Sequence, residues 1–592
     1  MFTLALRAES EWTARVNTLF MERHEAWNRK LETSDWLKPL EGVQVAADEV
    51  FLKRAYLDAV GRLPRLDEAR AFLEDKAGGK RAALVDKLLD SPEWGERWFQ
   101  RLASLLRLVD EVNGASQQPY VDWVKNAARN NMPMDDLVRT LLSAEGSVGS
   151  NPATGYMLRD AGWMEDTMVA TAQAFLGVSL ECTLCHDHPF ADWTQMQFYR
   201  LCACVGSARI TRGPAELPAG QPAPKPRKTK PLFSGGKQLP NRILSERVDH
   251  GEMPMVLQNE VWPASERSQR ELRKLVQTGG HALEIHDGYP SGVRLPTSYK
   301  YRDGKSGEMV KPGMLQIRAV RSALLDEQAV ARGPTVRAEL AAWLVGHPRF
   351  GQRLAQWMVA SLMQNGSGLS YVGAEPELNE GVLWMGPERG CSEAGPSMLI
   401  QRELDEEPIY EALGLMVKAL GYDMKEVQRV LMKSMPYQAV SRASEMGETF
   451  HYAGPKVRRM SPEAVWDALV SLGGGPEASA GLLHTKDLPQ RLPEDHALRL
   501  LGRGERVLPV DDVATVSFGL CRWFLTSPMV QRAAEGVASK VKDADELFLT
   551  VLSRHPTEDE QRICRAHLAK PKNTFVPLAA ALLCGSDFLF VK

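Results

Sequence analysis

The sequence predicts a mainly α protein: multi-helix domains with an irregular, Pro/Gly-rich central segment containing at most short strands. Three observations lead there. Apolar residues recur at helical spacing on both sides of that segment. Helix-start chemistry repeats: Ser91-Pro92-Glu93 and Ser461-Pro462-Glu463 each place a hydroxyl N-cap, a proline at N1 and an acid in the first turn. Between the helical stretches the composition shifts, with Arg212 to Lys230 rich in proline, lysine and glycine.

Taken in chain order, residues 1–48 form an amphipathic helical segment carrying Trp12, Val16, Leu19 and Phe20 near helical spacing, closed by Pro39 and Gly42. Residues 49–207 read as one helical domain. A helix over Val50 to Val60 is stopped by Gly61-Arg62-Leu63-Pro64, and a second follows from Leu66 to Glu74. After Ser91-Pro92-Glu93, Trp94, Trp98, Leu102, Leu105 and Leu106 share one helix face and belong to a packed core. A helix over 160–180 ends at Phe175-Leu176-Gly177, and Trp193 to Cys204 is helical again. Residues 208–335 are a linker and irregular connecting segment, with short strands or turns in the tyrosine- and glycine-rich stretch from Leu295 to Gly313. Residues 336–592 form a C-terminal helical domain, in which Thr557-x-x-Glu560 is a capping box and Gly473 to Gly475 stop a helix.

The two ends of the chain echo each other. Tyr56-Leu57, Val60, Arg62, Pro64 and Glu68 match Phe548-Leu549, Leu552, Arg554, Pro556 and Glu560 at identical spacing. Leu88-Leu89 and Glu93-Trp94 match Leu582-Leu583 and Asp587-Phe588. A duplicated helical hairpin and a helix-loop-helix solution reached twice both account for this.

Bulk properties bound the function classes. The chain has 592 residues, 44% hydrophobic and 25% charged, values that permit sizeable cores. A formal net charge of -3 calls for no nucleic acid and no anionic membrane as partner. No apolar run approaches the length of a transmembrane span. The N-terminus shows only Phe2 to Leu6 as an apolar stretch, without the basic and hydrophobic regions of a signal peptide. Eight cysteines are too few for a disulfide scaffold, but four of them, Cys182, Cys185, Cys202 and Cys204, cluster; Cys391, Cys521, Cys564 and Cys584 read as small buried residues.

That cluster contains the one chemically specific motif, Cys182-x-x-Cys185-His186, followed by Asp187-His188-Pro189-Phe190. Two cysteines three apart with histidine next form the attachment signature of c-type haem. The spacing lets both thiols reach the two vinyl groups along one porphyrin edge, with His186 under the iron as axial ligand. Met164, Met168, Met196, His250, Met253 and Met255 lie nearest as candidates for the sixth position, and an open position is equally compatible. His188 is too close to His186 to cross the porphyrin plane and is expected to hydrogen-bond a propionate or orient the loop. Two alternatives stay open: a zinc or iron–sulfur set of Cys182, Cys185, Cys202 and Cys204, whose second half is C-x-C rather than C-x2-C, and a redox or disulfide-forming pair. Other constellations carry less. No Gly-rich phosphate loop follows a strand, no Gly-x-Ser-x-Gly elbow appears, and His281-x4-His286 matches no standard zinc motif. The acids Glu403, Asp405, Glu406 and Glu407 flank a helix start at Pro408.

Residues Val50 to Gly206 resemble the planctomycete cytochrome-like domain family. The resemblance rests on Arg54, Tyr56-Leu57-Asp58, Gly61-Arg62-Leu63-Pro64, Leu88-Leu89, Ser91-Pro92, Trp98, Phe175-Leu176-Gly177, the Cys182 to Phe190 motif, Trp193-Thr194-Gln195 and Tyr199. Leu295-Pro296, Tyr299-x-Tyr301 and Pro312 resemble the family's connecting segment. Residues 336–592 resemble the domain of unknown function that commonly follows, through Leu340-Ala341-x-Trp343-Leu344, Ser434 to Tyr437, Arg458-Arg459-x-Ser461, Trp466-Asp467-Ala468 and Arg554-x-Pro556-Thr557. The family's Asn-Arg-x-Trp element is missing from His347 to Trp357. The resemblance implies haem c and a periplasmic or cell-envelope location, with no defined reaction.

Three functions are therefore expected to compete. The first is a c-type cytochrome passing electrons to an envelope redox partner, for an oxidoreductase system acting on an extracellular substrate such as a glycan. The second is a haem oxidoreductase with an open iron position. The third is a non-catalytic envelope scaffold holding zinc or a disulfide at the same cysteines.

Overall fold

The computed structural model describes residues 2–32, 43–112, 115–160, 164–178, 180–188, 193–206, 209–212, 283–287, 292–313, 335–364, 409–441, 454–477, 482–493, 495–504, 506, 509 and 518–592. Most of the linker from Arg212 to Lys230, the candidates His250, Met253 and Met255, and Pro189, Phe190, His281, Cys391 and residues 403–408 lie outside them.

The chain is mainly helical, as its periodicity demands. The first series is α1 (Phe2–Glu32), α2 (Asp48–Ala59), α3 (Leu66–Glu74), α4 (Lys80–Leu89), α5 (Pro92–Leu105), α6 (Gln118–Arg129), α7 (Met134–Ser143), α8 (Gly155–Leu158), α9 (Met164–Leu176) and α10 (Gln195–Val205). A second series runs α11 (Val336–Gly346), α12 (Pro348–Val359), α13 (Ile409–Ala419), α14 (Met424–Lys433) and α15 (Met435–Gln438). The last comprises α16 (Pro462–Leu472), α17 (Ala497–Leu500), α18 (Phe518–Thr526), α19 (Pro528–Ala538), α20 (Ala544–Leu552), α21 (Glu558–Leu568), α22 (Phe575–Leu583) and α23 (Ser586–Leu589). Strands are short. β1 (Glu111–Val112) pairs with β2 (Ala115–Ser116), and β3 (Gly146–Ser147) and β4 (Arg209–Arg212) flank β5 (Leu283–His286). β6 (Val293–Arg294) pairs with β7 (Met309–Val310), the short strands expected between Leu295 and Gly313 lying at its margins, and β8 (Arg458–Arg459) pairs with β9 (Phe590–Val591).

Local chemistry sets the helix ends. Ser461 accepts the Ala464 amide and Thr557 and Glu560 close the expected capping box. Ser91 behaves differently: its hydroxyl donates to the Leu88 carbonyl at 2.7 Å, so Pro92 at N1 and Glu93 start α5 without a side-chain cap. α9 is described from Met164 to Leu176, and Asp160 ahead of it is held by Arg107.

Two cores form. The larger joins α2, α4–α7, α9 and α10 to α11–α14, with Trp94, Trp98, Phe175, Phe350 and Tyr437 deeply buried. α12 and α13 cross so closely that a Cβ on Gly351 would lie 2.7 Å from the Gly414 carbonyl oxygen. The smaller gathers α16–α23 around Trp466, Phe548 and Phe588. Leu57 and Leu63 of the first helical series pack into this second core, while Leu549 packs into the first.

The echo between the chain ends is structural. Arg62 bridges Glu68 at 2.7 Å and Glu93 at 2.8 Å, and its guanidinium lies 5.1 Å from the Tyr56 ring centre. Arg554 bridges Glu560 at 2.7 Å and Asp587 at 2.8 Å, 5.2 Å from the Phe548 ring centre. Glu68 also accepts the Arg65 amide and Glu560 the Thr557 amide, so both units use one carboxylate to cap a helix and to hold the arginine. The two units meet directly. Lys53 on α2 donates to the carbonyls of Phe588 and Phe590 at 3.0 and 3.1 Å, and Arg54 to that of Lys592 at 2.7 Å.

Candidate functional site

α9 delivers the chain to the cysteine motif. Its register is fixed from below by a buried ion pair, Arg107 to Asp160 at 2.6 Å with both side chains 2% exposed, to which Thr167 of α9 donates at 3.1 Å. Tyr156 and Thr171 share a further buried hydrogen bond at 2.8 Å. α9 then ends at Gly177, whose φ of +64° turns the chain in the left-handed region that glycine tolerates.

The motif itself is a short 3-10 turn, Cys182–Leu184. The amides of Cys185 and His186 both donate to the Cys182 carbonyl at 3.2 Å, closing the backbone turn that carries the two cysteines and the histidine. Cys182, Cys185 and His186 are half-buried, while Thr183 and Leu184 between the cysteines face the core. His188 is buried, and its amide donates to the Trp193 carbonyl at 2.7 Å, closing the loop that contains the Pro189-Phe190 dipeptide. Burial holds the His188 imidazole below its ordinary pKa, so it stays neutral near pH 7.

Three groups outside the motif pin it. The Asp187 amide donates to the Tyr301 hydroxyl at 2.8 Å, and the Asp187 carboxylate accepts the Gln195 amide at 2.8 Å at the start of α10. Gln195 in turn donates from Nε2 to the Leu184 carbonyl at 2.9 Å, and the Tyr199 hydroxyl to the same carbonyl at 3.3 Å. Thr194 and Gln197 form a capping box, so α10 begins at Gln195. Sequence reasoning assigned no role to Asp187 or Gln195 and placed Tyr301 only in a connecting segment. The available signal was a carboxylate just ahead of a capped helix start, a position that favours an anion.

The histidine is oriented for a ligand. His186 Nδ1 lies 2.7 Å from the Asp187 carbonyl oxygen. A carbonyl accepts only, so Nδ1 carries the proton and Nε2 presents its lone pair, the arrangement common to metal-bound histidines. Cys182 and Cys185, half-buried in the same turn as His186, are the residue types that covalent attachment of a c-type haem asks for, two thiols and one histidine ligand.

The remaining candidates fall elsewhere. Cys202 and Cys204 sit on α10 with no solvent exposure, and the Cys204 thiol donates to the Arg200 carbonyl at 3.5 Å. Burial raises Cys204 to about 12 and Cys202 well above the ordinary thiol range, so both thiols stay protonated in the metal-free chain. Among the described residues no group of three or more His, Cys, Asp or Glu side chains is arranged to hold a metal ion. The zinc set Cys182, Cys185, Cys202 and Cys204 is thus not gathered, although all four residues are described. Met168 and Met196 are buried core residues and Met164 packs against the same core. Among the described residues no helix is long and apolar enough to cross a membrane.

No curated protein and no solved structure matches the chain. A family match exists for the part of the chain that builds the site, and it spans α2 to α10 with the whole of the Cys182–His188 turn. Residues 32–209 match the model of PSCyt2, described as a protein of unknown function (DUF1549), and this segment is similar to that planctomycete-type domain.

Proposed function

We propose that this chain is a c-type cytochrome-like protein of the cell envelope that binds haem covalently through Cys182 and Cys185, with His186 as axial ligand, and transfers electrons to a redox partner. The observation that carries this reading is the His186 Nδ1 hydrogen bond to the Asp187 carbonyl, within the closed turn that also carries both cysteines. Bound haem would supply one-electron transfer. The protein's residues do the rest. Asp187 fixes the imidazole tautomer through its carbonyl and ties the turn to α10 through its carboxylate. Tyr301 and Gln195 hold the turn against rotation, and the neutral, buried His188 adds no charge beside the iron ligand. The periplasm or cell envelope follows from the chemistry, because c-type haem is attached outside the cytoplasmic membrane. Service to an oxidoreductase acting on an extracellular substrate such as a glycan is part of the same proposal.

The test is expression with an export signal in a host that matures c-type cytochromes. A pyridine haemochrome spectrum and a haem-stained denaturing gel then read covalent haem. Haem that disappears in the Cys182→Ala/Cys185→Ala double variant is expected. A folded, exported chain without haem would overturn the proposal in favour of a zinc- or disulfide-bearing scaffold, which metal analysis would distinguish.

A further inference from the structure

The seam between the two cores carries more positive than negative charge. Arg97 and Arg101 stand one turn apart on α5, 7% and 9% exposed, and Arg458 on β8 is 7% exposed. Asp58 is the carboxylate they share, and it is already engaged. Arg458 Nη2 donates to its two oxygens at 2.6 and 2.7 Å, and the Tyr437 hydroxyl donates to it at 2.8 Å. Arg101 donates to the Asp58 backbone carbonyl at 3.1 Å and to Met358 Sδ at 3.9 Å, and Arg97 to Gln100 Oε1 at 3.2 Å, all of them neutral acceptors. Among the described residues, neither therefore has a hydrogen-bonded counter-charge. The Nε atoms of Arg97, Arg101 and Arg458 are all buried with no hydrogen-bond partner.

The other acids at the seam are committed too. Glu463 lies 3.9 Å from Arg503, and Asp467 accepts the Thr485 amide and hydroxyl at 2.7 Å each, with His484 Nδ1 at 3.5 Å. A buried cation without a partner is expensive, and proteins normally supply an anion or neutralise the group. Burial draws Arg101 down to about 9 and Arg97 below its ordinary value, with Glu463 and Asp58 offsetting part of the effect on Arg97. Gly61 admits this arrangement: with φ at +72°, it lets the Arg97 chain pass where a Cβ would come within 2.9 Å of Arg97 Cδ.

We propose that the seam is an oxyanion-binding site, in which Arg97, Arg101 and Arg458 take a carboxylate- or phosphate-class anion. The guanidinium fork suits both geometries. Because Arg97 and Arg101 belong to the larger core and Arg458 leads into α16 of the smaller, the anion ties the two cores together. This inference is independent of the haem reading.

The test is the thermal midpoint of the full chain in phosphate, acetate and chloride at matched pH and ionic strength. Phosphate or acetate is expected to raise the midpoint by about 2 °C or more over chloride. A rise with phosphate alone marks a phosphate-class ligand, and one with acetate alone a carboxylate. Arg101→Met is expected to abolish the rise. Arg97→Lys, which keeps the charge without the fork, is expected to reduce it and serves if the first variant does not fold. Equal midpoints in all three salts, or a rise undiminished in both variants, would overturn the site.

Discussion

Tyr301→Phe removes one oxygen from the candidate site and nothing else of consequence. That oxygen accepts the Asp187 amide at 2.8 Å, one residue beyond the proposed axial ligand. Leaving a buried donor without its acceptor costs about 1–3 kcal/mol. Asp187 and Tyr301 are only half-buried, so water restores part of the loss and about 1–2 kcal/mol is expected. That corresponds to a roughly 5–30-fold rise in the opening equilibrium of the turn. Hydrogen exchange read by mass spectrometry on a peptide spanning 181–188 measures it directly, with an α12 peptide as internal reference. The expected result is faster exchange at the turn and unchanged exchange in α12. Unaltered exchange at the turn would show that Tyr301 does not hold it and would refute the positioning argument.

Other perturbations probe the frame around the site. Asp160→Ala leaves Arg107 buried without its carboxylate and is expected to destabilise the chain by about 3–5 kcal/mol, measured by urea unfolding. Gly351→Ala forces a methyl against the Gly414 carbonyl and should cost about 1–3 kcal/mol in the same assay, whereas a neutral result would show that α12 and α13 can separate. Burial lowers Lys53 to about 7, so between about 7 and its ordinary 10.5 the unfolded chain binds the extra proton and stability rises with pH across that window. Lys53→Met should flatten that rise in denaturation midpoints collected from pH 7 to 10; an unchanged slope would place the titration elsewhere.

The helices were legible because their signals are local. Leu66 to Glu74 was marked by the proline before it and its apolar spacing, and it is α3 residue for residue. Gly473 to Gly475 ended α16 as expected, with Gly474 and Gly475 at φ near +100°. The echo between Arg62 and Arg554 was visible as spacing, but the sequence did not say that each arginine would bind two acids, the second about thirty residues away. The cysteine motif was legible as chemistry, while its support was not. Asp187 lies next to the motif but acts through α10 and through Tyr301, 114 residues on. The seam was invisible for the same reason: Asp58 and Arg458 are 400 residues apart, and no local pattern announces their contact.

The grip of α2 on the end of the chain has a consequence for how the molecule is made. Lys53 and Arg54 bind carbonyls more than 530 residues away, and β8 completes its ladder only with Phe590 and Val591. Contacts of such sequence separation form late and slowly. In a chain emerging from the ribosome, Lys53 and Arg54 of α2 stay without these acceptors until residues 588–592 have been made. These contacts act as a clasp: the segment that carries α2 reaches its finished contacts only once residues 588–592 have been made, and a nascent chain stalled short of residue 587 would display an open α2 to chaperones and proteases.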